Sequence, residues 1–130
     1  MSTRSQGEQY ESWVGEQLKV KGYKVLTTNF RSPYGEIDII ARLHSTLIFI
    51  EVKTRTSTFF GLPEESITPY KQERWKKSVW VYCQTKKLHG MQLQIDVIAI
   101  LLNTQTRKAS LRHFKNIEIW NLNGKSKVLH

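Results

Sequence analysis

Apolar residues recur along this chain at two spacings, one typical of helices and one typical of strands. From about Gly7 to Lys21 they recur every three or four residues, which predicts a helix that covers a core with one face. A second helix begins at Thr68-Pro69 and runs to about Lys86, because Thr is a favourable N-cap and Pro is tolerated at the first helical position. The apolar positions that define the two faces are Tyr10, Trp13, Val14 and Leu18 in the first helix and Trp75, Val79, Tyr82 and Cys83 in the second.

Runs of apolar and β-branched residues predict strands, and the segments between them are polar or contain Gly and Pro. The order of elements predicts an α/β fold in a single domain of residues 1–130, with a core from about 7 to 120 and a loose tail over 121–130. The predicted strands are Tyr23 to Thr28, Ile37 to Leu43, Thr46 to Thr54, Leu93 to Leu102, Ala109 to Phe114 and Ile117 to Trp120. The longer predicted loops are Asn29 to Tyr34 and Thr56 to Pro63, and the second contains Phe59-Phe60 as either a substrate contact or a cap on the core.

The central pair of strands carries charged residues in apolar surroundings. If the hairpin is centred on His44-Ser45, Asp38 lies opposite Glu51, and Glu36 lies opposite Lys53. These four side chains then share one face, because successive strand residues point to alternate sides. An odd-length loop would instead place Asp38 and Glu51 on opposite faces. The other face is predicted to be apolar and to carry Ile37, Ile39, Ile48, Ile50 and Val52.

Directly opposed strand residues have Cβ atoms about 5 Å apart, and two carboxylates placed in this way repel each other unless a cation lies between them. The Asp38 and Glu51 carboxylates and the Val52 carbonyl are oxygen ligands of the kind that Mg²⁺ or Mn²⁺ prefers. Lys53 is predicted on the same face, where it can orient water and stabilise charge on a phosphate. The set therefore suits metal-assisted phosphodiester cleavage. The alternative is a buried ion-pair cluster without turnover.

Other charged residues have both a functional and a structural interpretation. Glu11 lies at the edge of the first helix's apolar stripe, where it either leans toward the site or stays solvated. Lys71, Arg74 and Lys77 form a basic stripe on the second helix, which contacts phosphate if it adjoins the carboxylates and is a solvated face otherwise. Asp96 lies in an apolar strand, where a structural pairing with a buried donor is as good an interpretation as catalysis.

Composition narrows the choice of partner. Twenty Lys and Arg against eleven Asp and Glu give a formal net charge of +9 and a pI near 9.8. This excess favours nucleic acid before an anionic membrane, although a basic surface also serves solubility alone. The single cysteine excludes an internal disulfide, and no signal-peptide core, membrane span or phosphate-cradling Gly-rich loop is apparent. We therefore expect a cytoplasmic protein with no membrane association and no small-molecule cofactor.

The motifs together resemble the YraN family, small bacterial proteins grouped with the Holliday-junction-resolvase-like branch of the PD-(D/E)xK nuclease superfamily. The resemblance extends from about Gly7 to Trp120. It implies a restriction-endonuclease-like core of order α-β-β-β-α-β, with a central mixed sheet and helices on both faces. The motifs that carry it are Gly35-Glu36-Ile37-Asp38, Phe49 to Arg55, Phe60-Gly61-x-Pro63, Lys71-Gln72 and Ile95-Asp96-Val97.

By position, the resemblance implies that Asp38 and Glu51 are metal ligands and that Lys53 is the catalytic lysine. It also matches Glu11 to a first-helix Glu that often completes such sites, and it places Gln72 at the start of the helix that borders the site. The candidate nucleic-acid contacts are Arg55, Lys71, Arg74 and Lys77. The chain departs from the pattern at Ile37, where the superfamily has Pro, and at Gln94, where the family usually has Arg.

The first hypothesis is therefore a Mg²⁺- or Mn²⁺-dependent deoxyribonuclease. Branched or recombination-intermediate DNA is its candidate substrate, and a homodimer is its candidate assembly. The main rival is a non-catalytic nucleic-acid-binding protein on a nuclease scaffold, and a third hypothesis is an adaptor whose basic surface binds another protein. A DNA affinity that does not fall steeply with salt would count against both nucleic-acid hypotheses, because phosphate contacts release counterions.

Overall fold

The computed structural model describes residues 3–56, 68–88, 90–117, 119–120 and 126–127. Within these ranges the first six elements follow the predicted α-β-β-β-α-β order, and three further strands come after them. The elements are α1 (Thr3–Val20), β1 (Lys24–Ser32), β2 (Gly35–Leu43), β3 (Thr46–Arg55), α2 (Pro69–Lys86), β4 (Gln92–Asn103), β5 (Lys108–Phe114), β6 (Ile119–Trp120) and β7 (Ser126–Lys127).

Strands β1 to β5 form one mixed sheet in that spatial order. Neighbouring strands are antiparallel except β3 and β4, which are parallel. A parallel pair needs a crossover connection, and α2 lies in the chain between these two strands. The predicted α/β class with a central mixed sheet is confirmed.

The two helices cover opposite faces of the sheet. Strands β2, β3 and β4 contribute buried side chains to both faces, which explains why their sequences are almost continuously apolar. The core on the α1 face contains Val14, Leu18, Tyr23, Ile39, Ala41, Ile48, Ile50, Ile98 and Ile100. The core on the α2 face contains Ile37, Ile40, Leu47, Phe49, Trp75, Val79, Tyr82, Ile95, Val97 and Ile117.

The hairpin between β2 and β3 has the predicted register. Leu43 pairs with Thr46, and the ladder continues in step to the pair of Ile39 and Ile50. His44 takes a φ of 54°, so the two-residue turn closes even though it lacks the usual Asn-Gly or Asp-Gly. Asp38 and Glu51 therefore follow directly after the last pair of the ladder.

Side-chain alternation fails near the start of β2. Ile37 packs with Ile40 on the α2 face, whereas Ile39 packs on the α1 face, so the prediction that Ile37 and Ile39 share a face is wrong. The break lies at Asp38, one residue beyond the end of the β2–β3 ladder at Ile39 and Ile50. The β1–β2 ladder shifts register between Val25 and Thr27, and Asn29, opposite Asp38, takes a φ of 53°. A left-handed residue turns the strand, and Asn tolerates that conformation better than most residues.

Glu36 has its strand neighbour on β1. Glu36 pairs with Arg31 across β1 and β2, with Nε and Oε2 3.6 Å apart and both side chains exposed. The prediction that Glu36 lies opposite Lys53 is wrong, because the β2–β3 ladder ends at Ile39 and Ile50 and does not reach these two residues. The loop predicted over Asn29 to Tyr34 is also too long, because β1 continues through Asn29 to Ser32 and pairs with β2 up to Gly35.

The start of α2 is as predicted. The Thr68 hydroxyl accepts a hydrogen bond from the Lys71 N–H at 3.2 Å, and Pro69 takes the first helical position. The helix ends at Lys86, and the C-cap residue Lys87 has a left-handed conformation with a φ of 55°. The residues that α2 buries against the sheet are Gln72, Trp75, Ser78, Val79 and Tyr82.

Some predictions fall outside the described residues. The connection from Thr56 to Pro63, with Phe59-Phe60, does so apart from Thr56 itself. Strands β6 and β7 form a separate two-stranded sheet, and the domain limits and the loose tail stay predictions. Neither helix, over the ranges described, has the length and apolar character needed to span a membrane.

Candidate active site

Glu51 is the most buried carboxylate of the site, with a side chain 7% exposed. It lies on the α2 face of β3, because Phe49, two residues earlier on the same strand, belongs to the α2-side core. Its Oε1 lies 3.2 Å from the Lys53 Nζ and accepts a hydrogen bond from the Lys71 Nζ. Burying a carboxylate is costly unless it is paired, so these two ammonium groups stabilise Glu51 in place.

Asp38 occupies the point where β2 and β3 separate. The backbone ladder ends one residue earlier, and the Asp38 Oδ2 accepts a hydrogen bond from the Val52 N–H at 2.8 Å. The side chain thus takes the place of a strand carbonyl. Because the N–H and C=O of a strand residue point to the same side, we infer that the Val52 carbonyl faces the same gap.

The pKa of Asp38 is raised to about 6, well above its ordinary value of 3.8. Burial raises the pKa most, and the negative charges of Glu51 and Glu11 raise it further. The Val52 N–H and the Lys71 ammonium lower it, yet they do not offset the other effects. The site therefore retains a negative potential that favours an additional cation.

Glu11 contributes to this negative potential from α1, which covers the other face of the sheet. Its Oε2 accepts a hydrogen bond from the Asn29 Nδ2 at 2.9 Å. Asn29 has a left-handed conformation and lies opposite Asp38 in the β1–β2 pair. One residue thus positions Glu11 and turns β1 beside Asp38, and the sequence reasoning missed it. The available signal was an Asn, a residue that favours left-handed positions, within a predicted loop next to the site.

The donor set fits a hard divalent cation. Within the described part of the chain, no three His, Cys, Asp or Glu side chains converge on one point as a complete metal cage. The Asp38 and Glu51 carboxylates and the Val52 carbonyl nevertheless supply oxygen donors at a position of negative potential. Two lysines already supply positive charge beside Glu51.

The basic residues predicted to contact nucleic acid divide into two groups. Lys71 is drawn into the site by Glu51, so it belongs to the buried cluster as well as to the helix stripe. Arg55 is exposed at the end of β3, two residues beyond Lys53, and donates to the Thr54 carbonyl at 3.0 Å. Arg74 and Lys77 lie farther along α2, against Tyr70 and Tyr34.

Gln72 is buried on the sheet-facing side of α2, one residue after Lys71, with 5% of its surface exposed. Its backbone N–H donates a hydrogen bond to the Thr68 carbonyl at 2.8 Å in the first turn of the helix. Gln72 thus lies at the start of α2, and its role at the site, which the family resemblance implies, stays a prediction.

Asp96 is paired with buried hydrogen-bonding groups, as its structural interpretation predicted. It is fully buried, and its oxygens lie 2.9 Å from the Gln94 Nε2, 2.9 Å from the Asn116 N and 2.7 Å from the His113 Nε2. Gln94 therefore pairs with Asp96 directly. The Lys21 Nζ lies 3.3 Å from the His113 Nδ1, and since an ammonium only donates, the ring hydrogen is on Nε2 and faces Asp96. Sequence reasoning missed His113, because no spacing in the chain links it to Asp96.

Comparison with known proteins assigns the chain to a family. The model of the uncharacterised protein family UPF0102 matches residues 10–100. A UPF0102 protein of Caldicellulosiruptor saccharolyticus is 37% identical over 116 residues, which cover 89% of this chain and 98% of the relative. A UPF0102 protein of Pelobacter propionicus is 40% identical over 118 residues, covering 88% and 81% respectively. The family model spans the positions of Glu11, Asp38, Glu51 and Lys53, and the chain belongs to the UPF0102 family.

Proposed function

We propose that the protein is a divalent-metal-dependent endonuclease of the PD-(D/E)xK type that hydrolyses phosphodiester bonds in DNA. The observation that carries the proposal is the Asp38 carboxylate, which is hydrogen-bonded to Val52 where two strands separate, beside the buried Glu51 and Lys53. A purely structural ion cluster would not require a second carboxylate whose pKa is raised to about 6. The resemblance to YraN-type proteins supports the same assignment.

In this proposal the Asp38 and Glu51 carboxylates and the Val52 carbonyl hold Mg²⁺ or Mn²⁺. A divalent ion held there would supply a lower pKa for bound water and would offset negative charge on the phosphate. Glu11 reinforces the negative potential at Asp38 across the gap, and Asn29 fixes its position. The active site is therefore assembled from both helices and the two central strands.

Lys53 acts on the reacting groups themselves. Its Nζ is held 3.2 Å from the Glu51 Oε1 and is about one-quarter exposed, so it can reach both the site and an incoming polymer. From that position it donates to the attacking water or to a phosphate oxygen and stabilises the negative charge that develops there. One water molecule is added across the P–O bond, which leaves a phosphomonoester and an alcohol.

The substrate in this proposal is a polyanion. A net charge of +9 favours nucleic acid, and Arg55 and Lys71 flank the site to contact its phosphates. Branched or recombination-intermediate DNA is the proposed form, and a homodimer would present two such sites to a branched molecule. Sedimentation velocity of the free protein and its complex tests the dimer directly.

The decisive experiment measures cleavage of labelled Holliday-junction, flap, single-stranded and duplex DNA with Mg²⁺, Mn²⁺ or EDTA. The matched variants are Lys53→Ala and Lys19→Ala, which remove the same charge from the site and from an exposed position on α1. Cleavage that requires metal, persists in Lys19→Ala and is lost in Lys53→Ala is the expected result.

Other outcomes distinguish the remaining hypotheses. If the wild type binds DNA with a steep salt dependence but cuts none of the four substrates with either metal, the non-catalytic binding protein replaces the nuclease. If it neither cuts nor binds DNA at moderate salt, both nucleic-acid hypotheses fail and the adaptor hypothesis is favoured.

A further inference from the structure

A group of exposed aromatic and basic side chains borders the proposed active site. Tyr70 is 72% exposed and Tyr34 is 38% exposed, so both rings are accessible to a ligand. The Arg74 guanidinium carbon lies 5.6 Å from the centre of the Tyr70 ring, and the Lys77 Nζ lies 5.4 Å from the centre of the Tyr34 ring. We call these four residues the aromatic platform.

The platform lies next to the site. Tyr70 immediately precedes Lys71, whose ammonium contacts the catalytic carboxylate Glu51. Tyr34 immediately precedes Gly35, and the Arg74 Nε lies 3.7 Å from the position that a Cβ on Gly35 would take. The turn between β1 and β2 thus meets the first turns of α2, and both rings lie close to the start of the strand that carries Asp38.

The charges of the platform indicate a negatively charged ligand. Within the part of the chain that the structure describes, neither Arg74 nor Lys77 forms an ion pair. Their contacts are instead with aromatic rings, and Arg74 also lies 3.3 Å from the Tyr70 hydroxyl. No carboxylate in the described part of the chain neutralises either cation, and each lies over an aromatic ring. This arrangement suits a ligand with a phosphate beside a planar base.

We infer that the aromatic platform stacks on unpaired nucleotides beside the scissile phosphate. The bases of a duplex are already stacked on one another and present only phosphates and groove edges to such a surface. An unpaired base has a free face, and stacking on an exposed aromatic side chain contributes affinity with any sequence. This inference rests on the proposed function and specifies its substrate class: DNA with a single-stranded segment at the site.

The test measures binding in EDTA, where no cleavage is expected, to a labelled single strand, its duplex and the same duplex with a single-stranded flap. The main variant is Tyr34→Leu/Tyr70→Leu, which keeps apolar surface but removes the rings. Tyr34→Phe/Tyr70→Phe keeps the rings, and Trp80→Leu removes another exposed aromatic residue of α2, 63% exposed and about 15 Å along the helix from Tyr70.

The double Leu variant is expected to bind the single strand and the flap about 5- to 150-fold more weakly per stacked base, and to bind the duplex with unchanged affinity. The Phe and Trp80 variants should bind like the wild type. Equal losses on the single strand and the duplex, no loss on either, or an equal loss in Trp80→Leu would overturn the inference and leave the nuclease proposal standing. A wild type that binds none of the three DNAs would overturn both.

Discussion

Replacing Lys71 with Met tests whether a divalent cation competes with this lysine for Glu51. In the structure the Lys71 ammonium contacts the Glu51 Oε1, one of the oxygens proposed to bind metal. Met keeps a long apolar side chain at the start of α2 but has no charge. If the metal has to displace the ammonium, Lys71→Met binds metal more tightly than the wild type.

The size of the effect follows from the burial of the pair. The Lys71 side chain is 28% exposed and the Glu51 side chain 7%, so solvent screens their interaction only in part. A hydrogen bond to a charged group contributes about 1.5–3 kcal/mol to stability. If metal binding sacrifices that interaction in the wild type, its loss corresponds to metal binding about 10- to 150-fold tighter in the variant.

Isothermal titration of Mn²⁺ into wild type, Lys71→Met and Lys77→Met measures the difference. Lys77→Met lowers the net charge equally but lies against Tyr34, so it controls for the general loss of positive charge. The metal-free Lys71→Met protein should also have a lower free energy of unfolding, because Glu51 loses a partner. A metal affinity equal to that of Lys77→Met, or weaker than that of the wild type, would refute the competition.

Three further predictions concern stability, each measured by urea unfolding in EDTA. The pKa of Asp38 is about 6 in the folded protein and has an ordinary value of 3.8. Because the folded state therefore binds the proton more tightly, the contribution of Asp38 to stability falls as pH rises from 3.8 to about 6. Relative to Asp38→Asn, the wild type should lose about 3 kcal/mol between those pH values, and a constant difference would contradict this. His113→Ala removes the donor to the buried Asp96 and should cost about 3–5 kcal/mol, so a cost within error of zero would exclude the pairing. Gly35→Ala should lower the free energy of unfolding by about 1–3 kcal/mol, because Ala is strained at a φ of +140°. The added Cβ itself has room, so an unchanged stability would show that the turn relaxes.

The parts of the fold that the sequence predicted are those that short-range rules determine. The Thr68-Pro69 start of α2 follows from N-cap chemistry, and the apolar repeats of both helices follow from helical geometry. The hairpin register around His44-Ser45 followed from alternation and a two-residue turn, and the β2–β3 ladder confirms it. Asp38 and Glu51 could therefore be placed side by side without knowledge of the tertiary structure.

The errors arose where a contact between distant segments overrides alternation. Ile37 was assigned to the wrong face because alternation breaks between Ile37 and Ile39, where the backbone ladder to β3 has ended and the Asp38 side chain takes its place, which the local pattern does not encode. The pairing of His113 with Asp96 was missed for the same reason, since it depends on the separate antiparallel pairing of β4 and β5. A single sequence gives no signal for such contacts between remote positions.

Lys71 shows why the two interpretations of the charged cluster are not exclusive. As a member of the basic stripe it was expected to face phosphate, and as a partner of Glu51 it completes a buried ion cluster. Without metal, the cluster offsets the cost of burying Glu51, so the site can exist before any ligand arrives. If a divalent cation takes over Glu51, the released ammonium lies in the first turn of α2, beside the aromatic platform, where a phosphate of the bound strand would pass. A purely structural Lys71 would instead hold Glu51 under all conditions, and metal would then bind no more tightly when the lysine is removed.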